Sequence, residues 1–201
     1  MSYRGKRLLD LTLALPALAI SLPVQGVTAL AIRVTMGRPV LFRQQRPGLR
    51  GEPFEMLKFR TMHLPDPGRG LVSDAQRLTR TGAFLRSTSL DELPTLWNIV
   101  KGDMSVVGPR PLLMQYLERY SPDQARRHEV RPGLTGLAQV SGRNAIAWED
   151  KFARDIEYVD DHSLLGDIQI ILRTVVQVLR RDGISAEGEA TMPEFMGSPA
   201  A

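Results

Sequence analysis

The chain has 201 residues, 43% hydrophobic and 24% charged, with no cysteine; that leaves room for one core-bearing domain plus an appendage and excludes a disulfide framework, a thiolate metal site and a cysteine nucleophile. Its formal charge of +4 and pI near 9.7 rest mostly on arginine, whose planar fork suits phosphates. The partner classes this admits are nucleic acid, anionic lipid headgroups and phosphorylated small molecules.

The first element is a run without formal charge over residues 11–32, bounded by Asp10 and Arg33 and long enough to cross a bilayer as a helix. Pro16 and Pro23 lie inside it. A mid-helix proline removes a hydrogen bond and clashes with the preceding turn, so a break is expected at Ser21-Leu22-Pro23. Both flanks are basic: Arg4, Lys6 and Arg7 before the run, Arg33, Arg38, Arg43, Arg46 and Arg50 after it. Basic flanks stay on the cytoplasmic side. A re-entrant helix that enters, bends at Ser21 and Pro23 and leaves by the same face satisfies both. A plain membrane-spanning helix and a cleaved signal peptide, with Ala29-Leu30-Ala31 as its small-residue site, are the alternatives.

Residues 39–61 read as two short strands or a small β-hairpin, with a turn at Arg46-Pro47-Gly48. A Pro- and Gly-containing loop follows over 64–70. Helical pattern is expected over 73–85, from 90 to 100 with Lys101-Gly102 as its end, and over 112–120 after Pro111. Residues 137–140 look strand-like after the breakers Pro132-Gly133 and Gly136. Helices are expected over 148–159 and 164–181. In the second, Ile168, Ile171, Leu172, Val175, Val176 and Leu179 share one apolar face, which suits either a core helix or one lying on the bilayer surface. From Ser185 little regular structure is expected.

The densest chemical signal is Arg86-Ser87-Thr88-Ser89-Leu90-Asp91-Glu92-Leu93-Pro94. Its structural reading is a capping box, Ser89 with Glu92, at a helix start. Its functional reading is a carboxylate that attacks phosphorus, with a neighbour that helps hold a metal or manage a proton. A hard cation, Mg²⁺ above all, would offset a diphosphate. Lys58, Arg86, Arg110 and Arg143 are candidate phosphate partners. Arg110 stands between Pro109 and Pro111, and Arg143 follows Ser141-Gly142. His63, His128 and His162 form no zinc pattern. No Walker A loop, dinucleotide fingerprint or GxSxG elbow is present.

The order of motifs resembles the bacterial sugar transferases, specifically the small monotopic phosphoglycosyl transferases. The segments are Lys6-Arg7-x-x-Asp10, Arg46-Pro47-Gly48, Lys58-Phe59-Arg60-Thr61-Met62 and Arg86-x-x-Ser89-Leu90-Asp91-Glu92-Leu93. Lys101-Gly102-Asp103-Met104-Ser105-Val106-Val107-Gly108-Pro109-Arg110-Pro111 follows, then Val130-Arg131-Pro132-Gly133-Leu134-Thr135-Gly136 and Gln139-Val140-Ser141-Gly142-Arg143-Asn144. The resemblance implies a mostly helical α+β fold: a re-entrant membrane helix, a small hairpin and amphipathic interfacial helices around a catalytic domain on the cytosolic face of the bacterial inner membrane. It implies that Asp91 attacks the β-phosphorus of a UDP-sugar, releases UMP and passes the phosphosugar to polyprenyl phosphate. Glu92 would support Mg²⁺ or the second step. Lys58, Arg86, Arg110 and Arg143 would engage phosphate or sugar-nucleotide groups, with Gln139 and Asn144 as weaker candidates. The tail is similar to that of small members acting on acetamido sugars such as diacetylbacillosamine.

The expected division is an anchor over 1–36, a catalytic domain over 37–184 and a tail over 185–201, a catalytic unit alone. The oligomeric state stays open, a homodimer included. A non-catalytic membrane-surface scaffold is the competing reading. Nucleic-acid binding ranks last, because interleaved aromatics and helix-turn-helix spacing are missing.

Overall fold

The computed structural model describes residues 3–142, 147–180 and 194–197. In chain order the elements are helix α1 (Lys6–Thr35), strands β1 (Leu41–Pro47) and β2 (Pro53–Phe59), and helices α2 (Asp74–Arg77), α3 (Arg80–Ser87) and α4 (Thr95–Lys101). Strand β3 (Ser105–Val107), helix α5 (Pro122–Ala125) and strand β4 (Gly133–Thr135) come next, then helices α6 (Leu137–Val140), α7 (Trp148–Asp161) and α8 (Leu164–Arg180). This is the mostly helical α+β class expected. Its sheets are two small pairs, β1 with β2 antiparallel and β3 with β4 parallel.

Helix α1 has 30 residues, about 45 Å at 1.5 Å per residue. One helical run passes through both Pro16 and Pro23, so the break expected at Ser21-Pro23 is not an interruption of the helix. Ser21 Oγ donates to the Leu18 carbonyl at 3.0 Å and accepts from Gln25 Nε2 at 2.9 Å. Back-bonding of this kind bends helices rather than ending them. Little of α1 is covered: Leu15, Ile20, Leu22, Val27, Leu30 and Val34 are exposed. Among the described residues it is the one helix long and apolar enough to cross a membrane.

Both ends of α1 are tied to the rest of the fold. Near its start, Lys6 Nζ lies 2.6 Å from Asp167 and 3.5 Å from Asp10. Asp10 accepts from Ser105 Oγ (2.8 Å) and the Val106 amide (2.9 Å), and Tyr3 and Tyr158 donate to Asp167. Arg7 donates to the Ile99 and Val100 carbonyls in α4. Past the other end, the buried Arg60 guanidinium donates to the carbonyls of Met36, Gly37 and Arg38, groups a helix C-terminus leaves unpaired. Between them Ala14 packs with Leu96, Ile99 and Met104, and Ile32 with Phe59 and Leu85. Burying Ile32 completely contributes about 1.5–3 kcal/mol.

The hairpin runs in register from Leu41 opposite Phe59 to Pro47 opposite Pro53, so Arg46 and Pro47 belong to β1 rather than to the turn. The other edge of β2 is covered by α4. Asn98, 2% exposed, donates to the Glu55 carbonyl (2.7 Å) and accepts from the Leu57 amide (3.0 Å). Thr95 Oγ1 donates to the Leu57 carbonyl at 2.8 Å. These bonds fix α4 and the turn before it against β2, which bears Lys58.

Three expectations shift. The helix over 73–85 is split at Leu78, which is extended and bridges Met62; Thr79 then caps α3 by accepting from the Gly82 amide. The helix over 112–120 is only a 3-10 stretch, Met114–Arg119. Residues 137–140 are the helical turn α6, and the strand lies just before it as β4. The cause is backbone packing. A Cβ at Gly133 or Gly136 would collide with the Gly108 backbone, so the close parallel pairing with β3 is possible only at the glycines.

Helix α8 turns its apolar stripe outward. Ile168, Leu172, Val175 and Val176 are exposed, whereas Asp167 and Ile170 are buried. Thr174 bonds Thr135, and Gln177 bonds the Val140 carbonyl. The packed side is mixed, Asp167, Thr174 and Gln177 beside Ile170 and Ile171, which join the core cluster around Val107 and Tyr158, so α8 serves the core along one edge and leaves much of its apolar stripe uncovered. In the tail, Phe195 is buried among Tyr116, Phe152 and their aromatic neighbours.

The turn ahead of α4 departs from the capping-box expectation. Ser89 sits in the left-handed region (φ 56°) and its side chain caps nothing, so Glu92 is released for other partners. A left-handed non-glycine residue costs about 1–2 kcal/mol. Ser89→Gly is therefore expected to hold or raise stability by up to about 1 kcal/mol, and Ser89→Val to lower it by about as much or more. A working cap would instead lose about 0.5–2 kcal/mol in Ser89→Ala and a few tenths in Ser89→Gly; thermal unfolding midpoints decide. In the same assay Asp167→Ala, which strands Lys6 in a buried site, is expected to cost about 3–5 kcal/mol. A loss below about 1 kcal/mol would show that this cluster does not hold α1.

Candidate active site

Glu92 ends a short 3-10 turn, Leu90–Glu92, that faces strand β2. Two cations converge on one of its oxygens: Lys58 Nζ donates to Oε1 at 2.6 Å and Arg110 Nη2 at 2.8 Å. Burial alone would push this carboxyl up, but Lys58 and Arg110 beside it hold it well below the usual carboxylate range. In return, Glu92 holds the Arg110 guanidinium above its ordinary value. Lys58 is pulled the other way: burial lowers its ammonium, and Glu92 only partly restores it.

Asp91, next in line, is held differently. Its carboxylate makes no hydrogen bond or ion pair among the described residues. Burial, with the Glu92 charge adding to it, raises its carboxyl to about 6, against the pull of Lys58, Arg86 and Arg110. At neutral pH it is still about ten parts ionised to one protonated. The site thus pairs one carboxylate that is clamped with one that is charged and free to react.

Arg86 reaches this cluster from α3, its Nε donating to Thr61 Oγ1 at 3.1 Å. Arg46 was not among the expected site residues, though its motif had been noted. Burial lowers its guanidinium to about 10, and Arg110 adds to the effect. Its Nη2 donates to Gln44, its buried Nε has no partner, and no carboxylate pairs with it among the described residues. Lys58, Arg86 and Arg110 stand against Asp91 and Glu92, and Arg46 adds a further cation beside Arg110. The surplus of positive charge suits a bound anion, and Arg forks suit phosphate oxygens.

Arg110 owes its place to groups that sequence reading did not single out. Arg127, 3% exposed, donates to the Arg110 carbonyl at 2.8 Å and pairs with the buried Asp155 at 2.7 Å. The Gly133 amide donates to the Pro109 carbonyl. Lone Arg and Asp residues 28 apart in sequence carry no local signal, so only the fold reveals this pair. Of the other expected residues, Gln139 lies on α6 beside Gly136, with both amide atoms buried and unpartnered. Arg143 and Asn144 lie outside the described residues.

The fit to Mg²⁺ can be judged from the donors. The Asp91 carboxylate and the second oxygen of Glu92 carry no hydrogen bond among the described residues. Mg²⁺ takes one or two carboxylates and completes its shell with phosphate and water oxygens. The pair fits it through one oxygen from each carboxylate, which leaves the other Asp91 oxygen open.

The family model for bacterial sugar transferases matches residues 1–181. EpsL of Bacillus subtilis, described as an uncharacterized sugar transferase, is 50% identical over 194 residues, covering 96% of each chain. A UDP-glucose:undecaprenyl-phosphate glucose-1-phosphate transferase of Caulobacter vibrioides is 44% identical over 189 residues, covering 88% of this chain and 70% of its own. An undecaprenyl-phosphate galactose phosphotransferase of Salmonella typhimurium is 39% identical over 197 residues, covering 89% of this chain but 41% of that longer protein. With these likenesses along its length, the chain belongs to the bacterial sugar transferase family and is an enzyme of that family.

Proposed function

We propose that this enzyme transfers a sugar 1-phosphate from a UDP-sugar to polyprenyl phosphate at the cytosolic face of the inner membrane, through a covalent intermediate on Asp91, initiating glycoconjugate or polysaccharide assembly. The observation that carries the reading is the unequal pair: Glu92 clamped by Lys58 and Arg110, Asp91 ionised and unbonded beside a surplus of cations. Relatives named for this reaction on glucose and galactose supply the substrate classes.

In the first step an Asp91 carboxylate oxygen attacks the β-phosphorus, and the bridging P–O bond breaks to release UMP. The sugar phosphate is left as an acyl phosphate on Asp91. In the second step a phosphate oxygen of the polyprenyl phosphate attacks the same phosphorus. The Asp91–phosphorus bond breaks, giving a polyprenyl diphosphate sugar and the free carboxylate. Arg46, Arg86 and Arg110 orient the phosphate oxygens and offset the charge that gathers on them, the interaction most effective in phosphoryl transfer. Glu92 is a poor proton acceptor while two cations sit on one oxygen; its part is to hold Lys58 and Arg110 in place. Mg²⁺ bound by Asp91 and Glu92 would neutralise diphosphate charge.

The re-entrant placement of α1 is part of the proposal. Lys6, Arg7 and Asp10 at one end and the Arg60-capped carbonyls at the other bind the same folded unit. A helix crossing the bilayer would carry one of those ends to the far side. The outward apolar stripe of α8 fits a helix lying in the interface.

Two measurements test this. Asp91→Asn should abolish UMP release from UDP-sugar, by on the order of 10⁴ or more, and abolish hydroxylamine-sensitive labelling by sugar-labelled substrate, while membrane association persists. Normal turnover in that variant would remove Asp91 as nucleophile. Labels placed at Ser2 and at Gly51 should both react from the cytosolic side only; reaction from opposite sides would sink the re-entrant placement.

A further inference from the structure

A groove of about 370 Å³ lies between α1 and α3. Pro23, Val27 and Ala31 of α1 form one wall, Phe84 and Leu85 of α3 the other, and Leu90 closes one part of it. The walls are almost wholly apolar. Val27 and Phe84 are 70% and 57% exposed, so the groove opens onto the same uncovered apolar surface that α1 presents along its length. Leu90 is followed directly by Asp91. Arg86 belongs to the same helix as Phe84 and Leu85, and its charge is among those felt by Asp91.

Resting on the phosphosugar-transfer reading, we propose that this groove binds the phosphate-proximal isoprene units of the polyprenyl phosphate acceptor, delivering the phosphate past Leu90 to Arg86 and Asp91. A UDP-sugar has no hydrocarbon for such a surface; of the two substrates only the acceptor does. Pro23 to Ala31 rises only about 12 Å along the helix, so the groove holds the first units of a long chain and leaves the remainder to the bilayer. One wall is the membrane helix itself, which gives the chain a continuous apolar path from lipid to the reacting carboxylate.

The test uses the full chain in lipid nanodiscs with undecaprenyl phosphate and a UDP-sugar it turns over. Val27→Trp and Phe84→Trp fill the groove from either wall. Each is expected to raise the KM for undecaprenyl phosphate at least tenfold while the KM for UDP-sugar and the acceptor-free exchange of labelled UMP into UDP-sugar stay at the unaltered values. Leu22→Trp adds the same bulk to α1 outside the groove and should change none of these. Independently of how the variants fold, a polyprenyl phosphate with a diazirine near its phosphate should label α1 and α3 of the unaltered chain. Unlabelled polyprenyl phosphate should compete and phosphatidylglycerol should not. Equal competition by phosphatidylglycerol, or unchanged acceptor KM in both groove variants, overturns the assignment. If the unaltered chain released UMP from no UDP-sugar, the transfer reading would fail instead, and the labelling would still report on the groove.

Discussion

Two cations on a single carboxylate oxygen set the terms for everything near the turn at residues 89–92. Lys58 and Arg110 come from β2 and from the loop after β3, and they meet only because Glu92 draws both. Partly buried pairs of this kind return little net stability unless further bonds hold each partner. The surroundings supply such bonds: Asn98 and Thr95 lock α4 to the edge of β2, and Arg127 with Asp155 holds the Arg110 backbone. The pairing leaves Asp91 out. A carboxylate beside three cations that bonds to none of them has kept its charge and its lone pairs available, which is what a nucleophile toward phosphorus requires.

Helix α1 is woven into this arrangement. Ala14 and Ile32 sit in the same clusters as Leu96, Ile99, Phe59 and Leu85, which back the turn and β2. Arg60, two residues after Lys58, spends its guanidinium on the carbonyls past the end of α1. The strand that presents Lys58 to Glu92 therefore leads directly into the residue that holds the segment after α1. A displacement of α1 would reach the candidate site through one strand, so the long helix and the carboxylate pair share a mechanical frame.

Much of the chain was legible because its signals are local. Apolar spacing marked α8, Gly102 marked the end of α4, and paired carboxylates between basic residues marked the candidate site. Where reading failed, a distant partner had overridden a local preference. Ser89 and Glu92 have the spacing of a capping box, but Lys58 and Arg110 offer Glu92 stronger bonds than an amide. The stretch 137–140 has strand-like composition, yet the glycines before it permit the close pairing that makes β4. Arg127 and Asp155 gave no sign at all, being a pair made entirely by tertiary packing.

Asp91 occupies the boundary between two unlike surfaces. On one side stand Lys58, Arg86 and Arg110, polar and positive; on the other Leu90 leads into an apolar groove walled by α1. A reaction that joins a water-soluble nucleotide sugar to a lipid must bring both to one phosphorus atom. A nucleophile that forms a covalent intermediate lets them arrive in turn, so the nucleotide need not be present when the lipid phosphate enters. The same cations then serve both steps, first on a diphosphate and later on the incoming phosphate. In the proposed reaction, the placement of one aspartate at this boundary does the work that a ternary complex of two dissimilar substrates would otherwise demand.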